Sequence, residues 1–383
     1  MKVNSFKIQI PDADLADLHD RLSATRWPMP ALSPAWKDGS DLVFMQRLAA
    51  YWREEFDWRE QERRLASLPQ FMATVDGQDI HFVHARGEGS SPLPLVLTHG
   101  WPGSFLEFEH ILPLLTHPSR FGGDAAEAFD VVIPSLPGFG FSPAPTRPGT
   151  SPRRIAGLWV ELMRGLGYAR FGFQGGDIGA GVSVWAAKLF PEAVAGLHLN
   201  YIPGSYQPPR TASEQPLSQE EETFLSEAAE WWKDEGAYAH LHATRPQTLA
   251  YGLADSPIGL AAWLTEKYRA WSDCDGDIER VFDMDRLLTA VSLYWWSGAP
   301  EGAIRIYKEG SLDPLVFAPG ERVTPPLSVA VFPRELPMPP RSWVERVFDV
   351  QRWTAMPAGG HFAAAEQPQA LADDIRAAMR TVR

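Results

Sequence analysis

The chain is almost devoid of cysteine, since Cys274 is the only one among 383 residues. An internal disulfide needs two cysteines, so none can form, and a zinc site built on several thiolates is excluded as well. Cys274 stands between Asp273 and Asp275 in a polar stretch. We therefore expect it to be a loop residue without a catalytic role.

Basic charge and long apolar runs are also scarce. Lys and Arg number 35 against 48 Asp and Glu, so the formal net charge at pH 7 is −13. Such a surface repels polyanions, and neither nucleic acid nor an anionic membrane surface is an expected partner. No stretch approaches the roughly 18 apolar residues of a membrane span. The charged start of the chain is also unlike a signal peptide, so we expect a soluble, cytoplasmic protein.

Aromatic and aliphatic residues, by contrast, are abundant. The chain is 45% hydrophobic and contains 15 Trp. A chain of this length can bury a large core in one main domain that carries an insertion and an N-terminal extension. The many aromatic rings also suit an enclosed cavity for a small apolar ligand.

The pattern along the chain predicts an α/β fold. Residues 1–70 read as helices without a βαβ pattern, and we interpret them as an extension that wraps the main domain. Continuous apolar strands then alternate with helical stretches, which is typical of a mostly parallel sheet covered on both faces. The eight predicted strands are 71–75, 80–83, 94–97, 129–133, 171–173, 194–199, 327–332 and 347–355.

A helical insertion interrupts this pattern between the sixth and seventh strands. Residues 203–310 are rich in Trp and Tyr, with helices predicted at 223–232, 257–271 and 285–296. We expect them to form a lid over the carboxyl ends of the strands, where α/β sheets bind ligands. The sheet domain is thereby divided into residues 71–202 and residues 311–383.

The most informative motif is the turn Gly175-Gly176-Asp177-Ile178-Gly179, between a predicted strand and a helical stretch. Alone it is a weak signal, because Gly-rich turns with an Asp are often Asx turns or helix caps. It nevertheless has the form of a nucleophile elbow with aspartate at the centre. A carboxylate there would attack an sp³ carbon and form an alkyl ester for water to hydrolyse. Epoxides and haloalkanes suit that chemistry.

A second carboxylate and a histidine follow this turn in the chain order nucleophile, acid, histidine, which is the order expected of an α/β-hydrolase. His361 comes just after the last predicted strand, in Gly359-Gly360-His361-Phe362. Glu335 is the first carboxylate after strand 327–332 and is the preferred acid. Asp349 is a rival, although it falls inside the last predicted strand. The remaining histidines, among them His81, His84, His110 and His117, lack a comparable setting.

A third motif, His99-Gly100-Trp101-Pro102-Gly103-Ser104, follows the third predicted strand. In this fold a backbone N–H from that loop contributes to the oxyanion hole. Proline has no N–H, so the expected donor is Trp101, paired with the N–H of Ile178.

Together these motifs resemble the microsomal-type epoxide hydrolase family over essentially the whole chain. The matching stretches are 99–104, 134–142, 175–179, 359–362, an N-terminal signature in 10–28, and lid segments in 238–248 and 255–263. The resemblance implies an α/β-hydrolase fold in which Asp177 is the nucleophile, His361 the base and Glu335 its orienting acid. Such a reaction needs no metal or organic cofactor.

The resemblance also implies two lid tyrosines that donate hydrogen bonds to the epoxide oxygen. Tyr238 matches the first and Tyr307 the second. Judged by the residues alone, lid tyrosines are more often packing residues, and Tyr251, Tyr268 and Tyr294 stay as alternatives. Two departures from the family stand out: Ile178 replaces a common Trp, and we expect no counterpart of the membrane anchor of the animal enzymes, so the chain resembles a soluble, bacterial form.

The implied activity is hydrolysis of a neutral, apolar or aromatic epoxide to a vicinal diol. A haloalkane dehalogenase is the nearest alternative, since it shares the Asp nucleophile and Trp101 stands where a halide donor could lie. A non-catalytic ligand sensor of the same fold would have no need of a water-activating histidine. The sequence leaves the oligomeric state open, a homodimer included.

Overall fold

The computed structural model describes residues 1–203, 206–208, 216–298 and 300–383. Nine strands within these residues form one sheet. They are β1 (Val3–Ser5), β2 (Gln70–Val75), β3 (Gln78–Ala85), β4 (Leu93–Thr98), β5 (Phe129–Pro134), β6 (Phe171–Gly175), β7 (Val194–Leu199), β8 (Val323–Val331) and β9 (Phe348–Ala355). Their spatial order is β1-β2-β3-β5-β4-β6-β7-β8-β9.

The sheet is antiparallel at one edge and parallel elsewhere. The pairs β1–β2, β2–β3 and β3–β5 are antiparallel, and the five pairs from β5–β4 to β8–β9 are parallel. Every residue of β5, β6 and β7 is buried, as expected for strands covered on both faces. The predicted fold class is confirmed.

The count of eight strands was one too low. The ninth is β1 of the N-terminal extension, which pairs Val3 with Ala73 and Ser5 with Phe71. All three of its residues are exposed, so it has no apolar run by which a strand is recognised. The extension therefore contributes an edge strand in addition to its helices.

Fifteen α-helices lie within the described residues, around the sheet and between its strands. They are α1 (Asp12–Ser23), α2 (Leu42–Glu54), α3 (Trp58–Leu65), α4 (Ile111–Thr116), α5 (Pro152–Gly165), α6 (Asp177–Leu189), α7 (Gln219–Glu235), α8 (Ala237–Thr244), α9 (Pro246–Asp255), α10 (Pro257–Trp271), α11 (Met284–Trp296), α12 (Pro300–Leu312), α13 (Arg341–Val344), α14 (Ala363–Glu366) and α15 (Pro368–Met379). None of the described helices is both long and apolar enough to cross a bilayer.

Helices α7 to α12 occupy the predicted insertion between β7 and β8. Of the range predicted for it, residues 204, 205, 209–215 and 299 lie outside the described residues. Helix α7 begins at a capping box, in which Ser218 and Glu221 each accept the other's backbone N–H. Tyr268 and Tyr294 of this insertion donate hydrogen bonds to backbone carbonyls in the loop that follows β4. The insertion therefore contacts the loop at the carboxyl end of a central strand.

Candidate active site

Asp177 lies at the sharp turn where β6 ends and α6 begins. Its φ angle is 48°, in the left-handed region that non-glycine residues seldom adopt. A Cβ added to Gly175 would lie 2.4 Å from the carbonyl oxygen of Gly179, and one added to Gly179 would lie 2.0 Å from that of Thr98. Only glycine fits both places, so the turn has the strained geometry of a nucleophile elbow.

The two carboxylate oxygens of Asp177 have different surroundings. Oδ1 accepts a hydrogen bond from the backbone N–H of Trp101, at 2.8 Å. Oδ2 lies 3.6 Å from Nε2 of His361. One oxygen is thus held by a backbone donor, and the other faces an imidazole.

His361 and Glu335 form a buried pair. The distance from Nδ1 of His361 to Oε1 of Glu335 is 2.6 Å, and the two side chains are only 3% and 2% exposed. The same Oε1 accepts the N–H of Leu336. The loops that carry the pair are joined by a bond from the N–H of Arg334 to the carbonyl of Gly359, at 3.1 Å. The carboxylate therefore fixes the orientation of the imidazole ring.

The electrostatic setting of His361 favours its protonated form. Burial by itself would lower the pKa of this imidazole, because a charge is poorly solvated in the interior. The carboxylates of Glu335 and Asp177 outweigh burial and raise the pKa of His361 well above its ordinary value.

The rival residues lie elsewhere. Asp349 is on β9, where its carboxylate accepts a hydrogen bond from Gln351. His81 lies between the hydroxyl of Ser135 and the side-chain oxygen of Gln70, at 2.9 and 3.0 Å. Burial lowers the pKa of His81 to about 3, so it is a neutral structural residue.

The two predicted lid tyrosines lie beside the elbow. The ring of Tyr238 stacks on that of Trp101, with centroids 5.1 Å apart, and meets the ring of Tyr307 edge-on at 5.8 Å. Burial and then the charge of Asp177 raise the pKa of Tyr238 well above its usual value. Burial raises that of Tyr307 too, with Tyr238 and Asp177 adding to it. Both phenols are therefore protonated and able to donate.

The other tyrosines differ in what their hydroxyls do. Tyr268 donates to the carbonyl of Pro102 at 2.9 Å, and Tyr294 donates to that of Gly103 at 2.7 Å. Tyr251 is 74% exposed. The hydroxyl of Tyr307, by contrast, is buried and binds no backbone carbonyl among the described residues, and its polar neighbour is the phenol of Tyr238. A substrate oxygen could satisfy it.

Ile178 is the second residue of α6, a position whose N–H has no intrahelical acceptor. The structure thus brings together six of the predicted site residues, and the seventh, Ile178, directly follows Asp177 in the chain. The six are Trp101, Asp177, Tyr238, Tyr307, Glu335 and His361. No group of three or more His, Cys, Asp or Glu side chains suited to a metal ion occurs in the described part of the chain.

Sequence reasoning missed two neighbours of this group on α10. The Trp271 ring meets the His361 ring edge-on at 5.1 Å, and Nζ of Lys267 lies 5.1 Å from the centre of the Tyr238 ring. Residues 267 and 271 are four apart, so they share one face of the helix. The four-residue spacing of Lys267 and Trp271 was visible in the sequence. It could not identify them as site neighbours, because nothing in the sequence shows that this face of α10 contacts the site.

Comparisons with known proteins point in one direction. Residues 3–108 match the family model described as the epoxide hydrolase N terminus, and residues 94–251 match that of the alpha/beta hydrolase fold. A putative epoxide hydrolase of Stigmatella aurantiaca is 43% identical over 382 residues, which cover 100% of this chain and 86% of that protein. Epoxide hydrolase 1 of Oryctolagus cuniculus is 36% identical over 97% of this chain and 88% of its own length.

Solved structures agree with these sequences. The structure of the Aspergillus niger epoxide hydrolase matches with a TM-score of 0.87 and 33% identity, over 100% of this chain and 97% of that one. Juvenile hormone epoxide hydrolase from the silkworm Bombyx mori matches with a TM-score of 0.85 and 29% identity, over 100% and 94% of the two chains.

Proposed function

The chain belongs to the epoxide hydrolase family, and we propose that it converts an epoxide and water to a vicinal diol through an ester on Asp177. The observation that carries the proposal is the pairing of the Asp177 carboxylate, whose side chain is 15% exposed, with two protonated phenols. An epoxide oxygen leaves as an alkoxide, which needs a proton donor near neutral pH. Tyr238 and Tyr307 supply such donors beside the nucleophile.

In the first half-reaction, the two phenols donate hydrogen bonds to the epoxide oxygen. Oδ2 of Asp177 attacks a ring carbon from the opposite side, so a C–O bond forms to the enzyme as the ring C–O bond breaks. One phenol transfers its proton to the departing oxygen. The product of this half-reaction is a hydroxyalkyl ester of Asp177.

In the second half-reaction, water hydrolyses that ester. Nε2 of His361 takes a proton from a water molecule, whose oxygen attacks the carboxyl carbon of Asp177. Glu335 orients the imidazole and stabilises its cation. The N–H groups of Trp101 and Ile178 stabilise the tetrahedral oxyanion. Collapse of this intermediate breaks the ester C–O bond, and the leaving alkoxide takes the proton of the new carboxyl group to give the diol and the Asp177 carboxylate. The imidazolium proton returns through solvent to the phenolate.

The proposal extends to the substrate and the insertion. Aromatic rings of Trp101, Trp271 and Tyr238 adjoin the nucleophile and base, which favours a neutral, apolar or aromatic epoxide. Helices α7 to α12 would act as the lid that keeps bulk water from this substrate. Residues 1–70 would wrap the sheet domain as an accessory segment.

One observation favours a second candidate, a haloalkane dehalogenase. The indole N–H groups of Trp101 and Trp271 are buried and have no hydrogen-bond partner in the part of the chain that the structure describes, and such donors could hold a departing halide. A halide, however, leaves without a proton, so the two phenols would have no task in that reaction. Epoxide hydrolysis uses all the groups of the site and is the stronger candidate.

A single turnover in ¹⁸O-labelled water tests the proposal. With enzyme in excess over styrene oxide, we expect the label in the Asp177 carboxylate and unlabelled diol, since water attacks the ester and not the epoxide. Mass spectrometry of the peptide with Asp177 measures this, and Asp177→Ala is the control without turnover. Label directly in the diol would refute the covalent route. Chloride release from 1-chlorohexane with no diol from any epoxide would favour the dehalogenase.

A further inference from the structure

A carboxylate outside the proposed triad holds the loop of His361 on both sides. This histidine loop comprises residues 359–362. Oε2 of Glu366 accepts the N–H of Gly360 at 3.0 Å, and Oε1 accepts the N–H of Phe362 at 2.9 Å. Both backbone neighbours of His361 are therefore bound to one side chain.

The same carboxylate reaches the insertion. Oε2 of Glu366 also accepts the N–H of Asp273, at 2.7 Å. Asp273 belongs to the segment 271–273 at the end of α10, which we name the insertion loop. A single carboxylate thus joins the histidine loop to the insertion loop through three backbone donors.

Further bonds join the two loops directly. The N–H of His361 donates to the carbonyl of Trp271 at 2.9 Å, and the N–H of Gly359 donates to the carboxylate of Asp273 at 2.9 Å. A Cβ on Gly360 would lie 2.6 Å from the carbonyl oxygen of Trp271. The loops approach so closely that only glycine fits between them.

This arrangement matters because the imidazole must meet two geometric demands. Its Nδ1 atom is bound to Glu335 at 2.6 Å, while Nε2 faces Asp177. Glu335 fixes one edge of the ring, but the position of the Cα atom depends on the backbone of the histidine loop. Burial raises the pKa of Glu366 to about 7, against the three backbone N–H donors that stabilise its carboxylate. Above that pH it is a charged acceptor, whose hydrogen bonds are stronger than neutral ones, so Glu366 is well suited to hold that backbone.

We propose that Glu366 is a positioning residue for ester hydrolysis, because it ties the histidine loop to the insertion loop and so places Nε2 of His361. This inference rests on the proposed function, in which His361 acts only after the ester has formed. Attack by Asp177 does not use His361. Loss of the tie should therefore slow hydrolysis and spare alkylation, since a misplacement of about 1 Å can lower a rate about 100-fold.

Rapid-quench kinetics with intact-mass detection of Glu366→Gln tests this inference. Glutamine keeps the shape but turns one acceptor oxygen into a donor, so at least one of the three N–H groups loses its acceptor. We expect alkylation by styrene oxide within about twofold of wild type and hydrolysis slowed about 10- to 100-fold. The ester-bearing enzyme should then accumulate.

Asp130→Asn is the matched control, because Asp130 is also a buried carboxylate that accepts a backbone N–H, that of Gly87 at 2.8 Å. It should lower the melting temperature without changing the ratio of the two rates.

Equal slowing of both half-reactions in Glu366→Gln, or wild-type rates for both, would overturn the inference. If Glu366→Gln fails to fold, Glu366→Asp should show the same selective loss in milder form, and an unchanged ratio there would overturn it as well. Absence of any ester in the wild-type enzyme would instead refute the proposed function itself.

Discussion

Nε2 of His361 lies 3.6 Å from Oδ2 of Asp177, beyond ordinary hydrogen-bond distance but within strong electrostatic reach. Burial opposes the imidazolium, yet Glu335 and Asp177 together raise its pKa well above the usual value. In the proposed mechanism, alkylation of Asp177 forms an uncharged ester and so removes one of these two carboxylates. We therefore expect the pKa of His361 to fall when Asp177 is esterified, so that the imidazole is neutral when it must accept a proton from water.

The first prediction follows from this relationship. Asp177→Asn removes a negative charge beside the imidazole, and a cation with fewer anions around it is less stable. The pKa of His361 should therefore fall relative to wild type, as measured by NMR titration of the imidazole with the variant verified by intact mass. Asp130→Asn, far from the histidine loop in sequence and contacts, should leave that pKa unchanged. An equal pKa in Asp177→Asn would show that Glu335 alone raises it.

The central parallel strands were predictable because β5 and β7 are mostly apolar runs in which every residue is buried. Strand 194–199 agrees residue for residue, and 129–133 and 171–173 fall short by one and two residues. The proposed triad was predictable for a related reason, since the fold presents its functional loops after particular strands. Edge strand β1 has only exposed residues, so its pairing partner and not its own pattern makes it a strand.

The contacts made by the tyrosines and by Glu366 could not be predicted from the sequence. Tyr268 and Tyr294 are as aromatic and as buried as Tyr238, and only three-dimensional contacts show that their hydroxyls bind backbone carbonyls. Glu366 follows His361 by five residues, and nothing in that spacing indicates that its carboxylate turns back onto the loop. Side-chain direction depends on packing that a linear pattern does not contain.

The second prediction separates the two half-reactions. His361→Gln should leave alkylation largely intact and stop hydrolysis, because an amide cannot accept the proton of the attacking water. The variant should gain the mass of one epoxide, detected by intact-mass spectrometry. Glu335→Gln should slow hydrolysis less, since Glu335 orients the base and stabilises its cation but transfers no proton itself. Normal steady-state turnover by His361→Gln would remove His361 from the mechanism.

The third prediction concerns the elbow. Gly179→Ala places a Cβ where the carbonyl oxygen of Thr98 would be only 2.0 Å away, so backbone must shift. We expect destabilisation of about 1–3 kcal/mol or more and loss of activity, measured by thermal unfolding and diol formation. Gly252→Ala on α9 meets nothing within 4 Å and should stabilise by roughly 0.4–1 kcal/mol. A neutral Gly179→Ala would contradict the close approach at the elbow.

The last prediction tests the proton donors. Tyr238→Phe and Tyr307→Phe each remove one hydroxyl and keep the ring, so the stacking around Trp101 should persist. Each should slow alkylation roughly ten- to a thousandfold, through loss of a charge-assisted hydrogen bond worth about 1.5–3 kcal/mol and of help in proton transfer. Stopped-flow or rapid-quench measurement of ester formation gives this rate directly.

The other tyrosines provide controls of two kinds. Tyr251→Phe, at an exposed ring, should match wild type in rate and stability. Tyr294→Phe leaves the buried carbonyl of Gly103 without its donor, so it should lose about 1–3 kcal/mol of stability while alkylation slows far less than in Tyr307→Phe. The double variant Tyr238→Phe/Tyr307→Phe should be folded and nearly inert towards epoxides. If Tyr294→Phe were the variant with crippled alkylation and Tyr307→Phe were not, Tyr294 would replace Tyr307 as the second donor, and the roles of Asp177 and His361 would be unaffected.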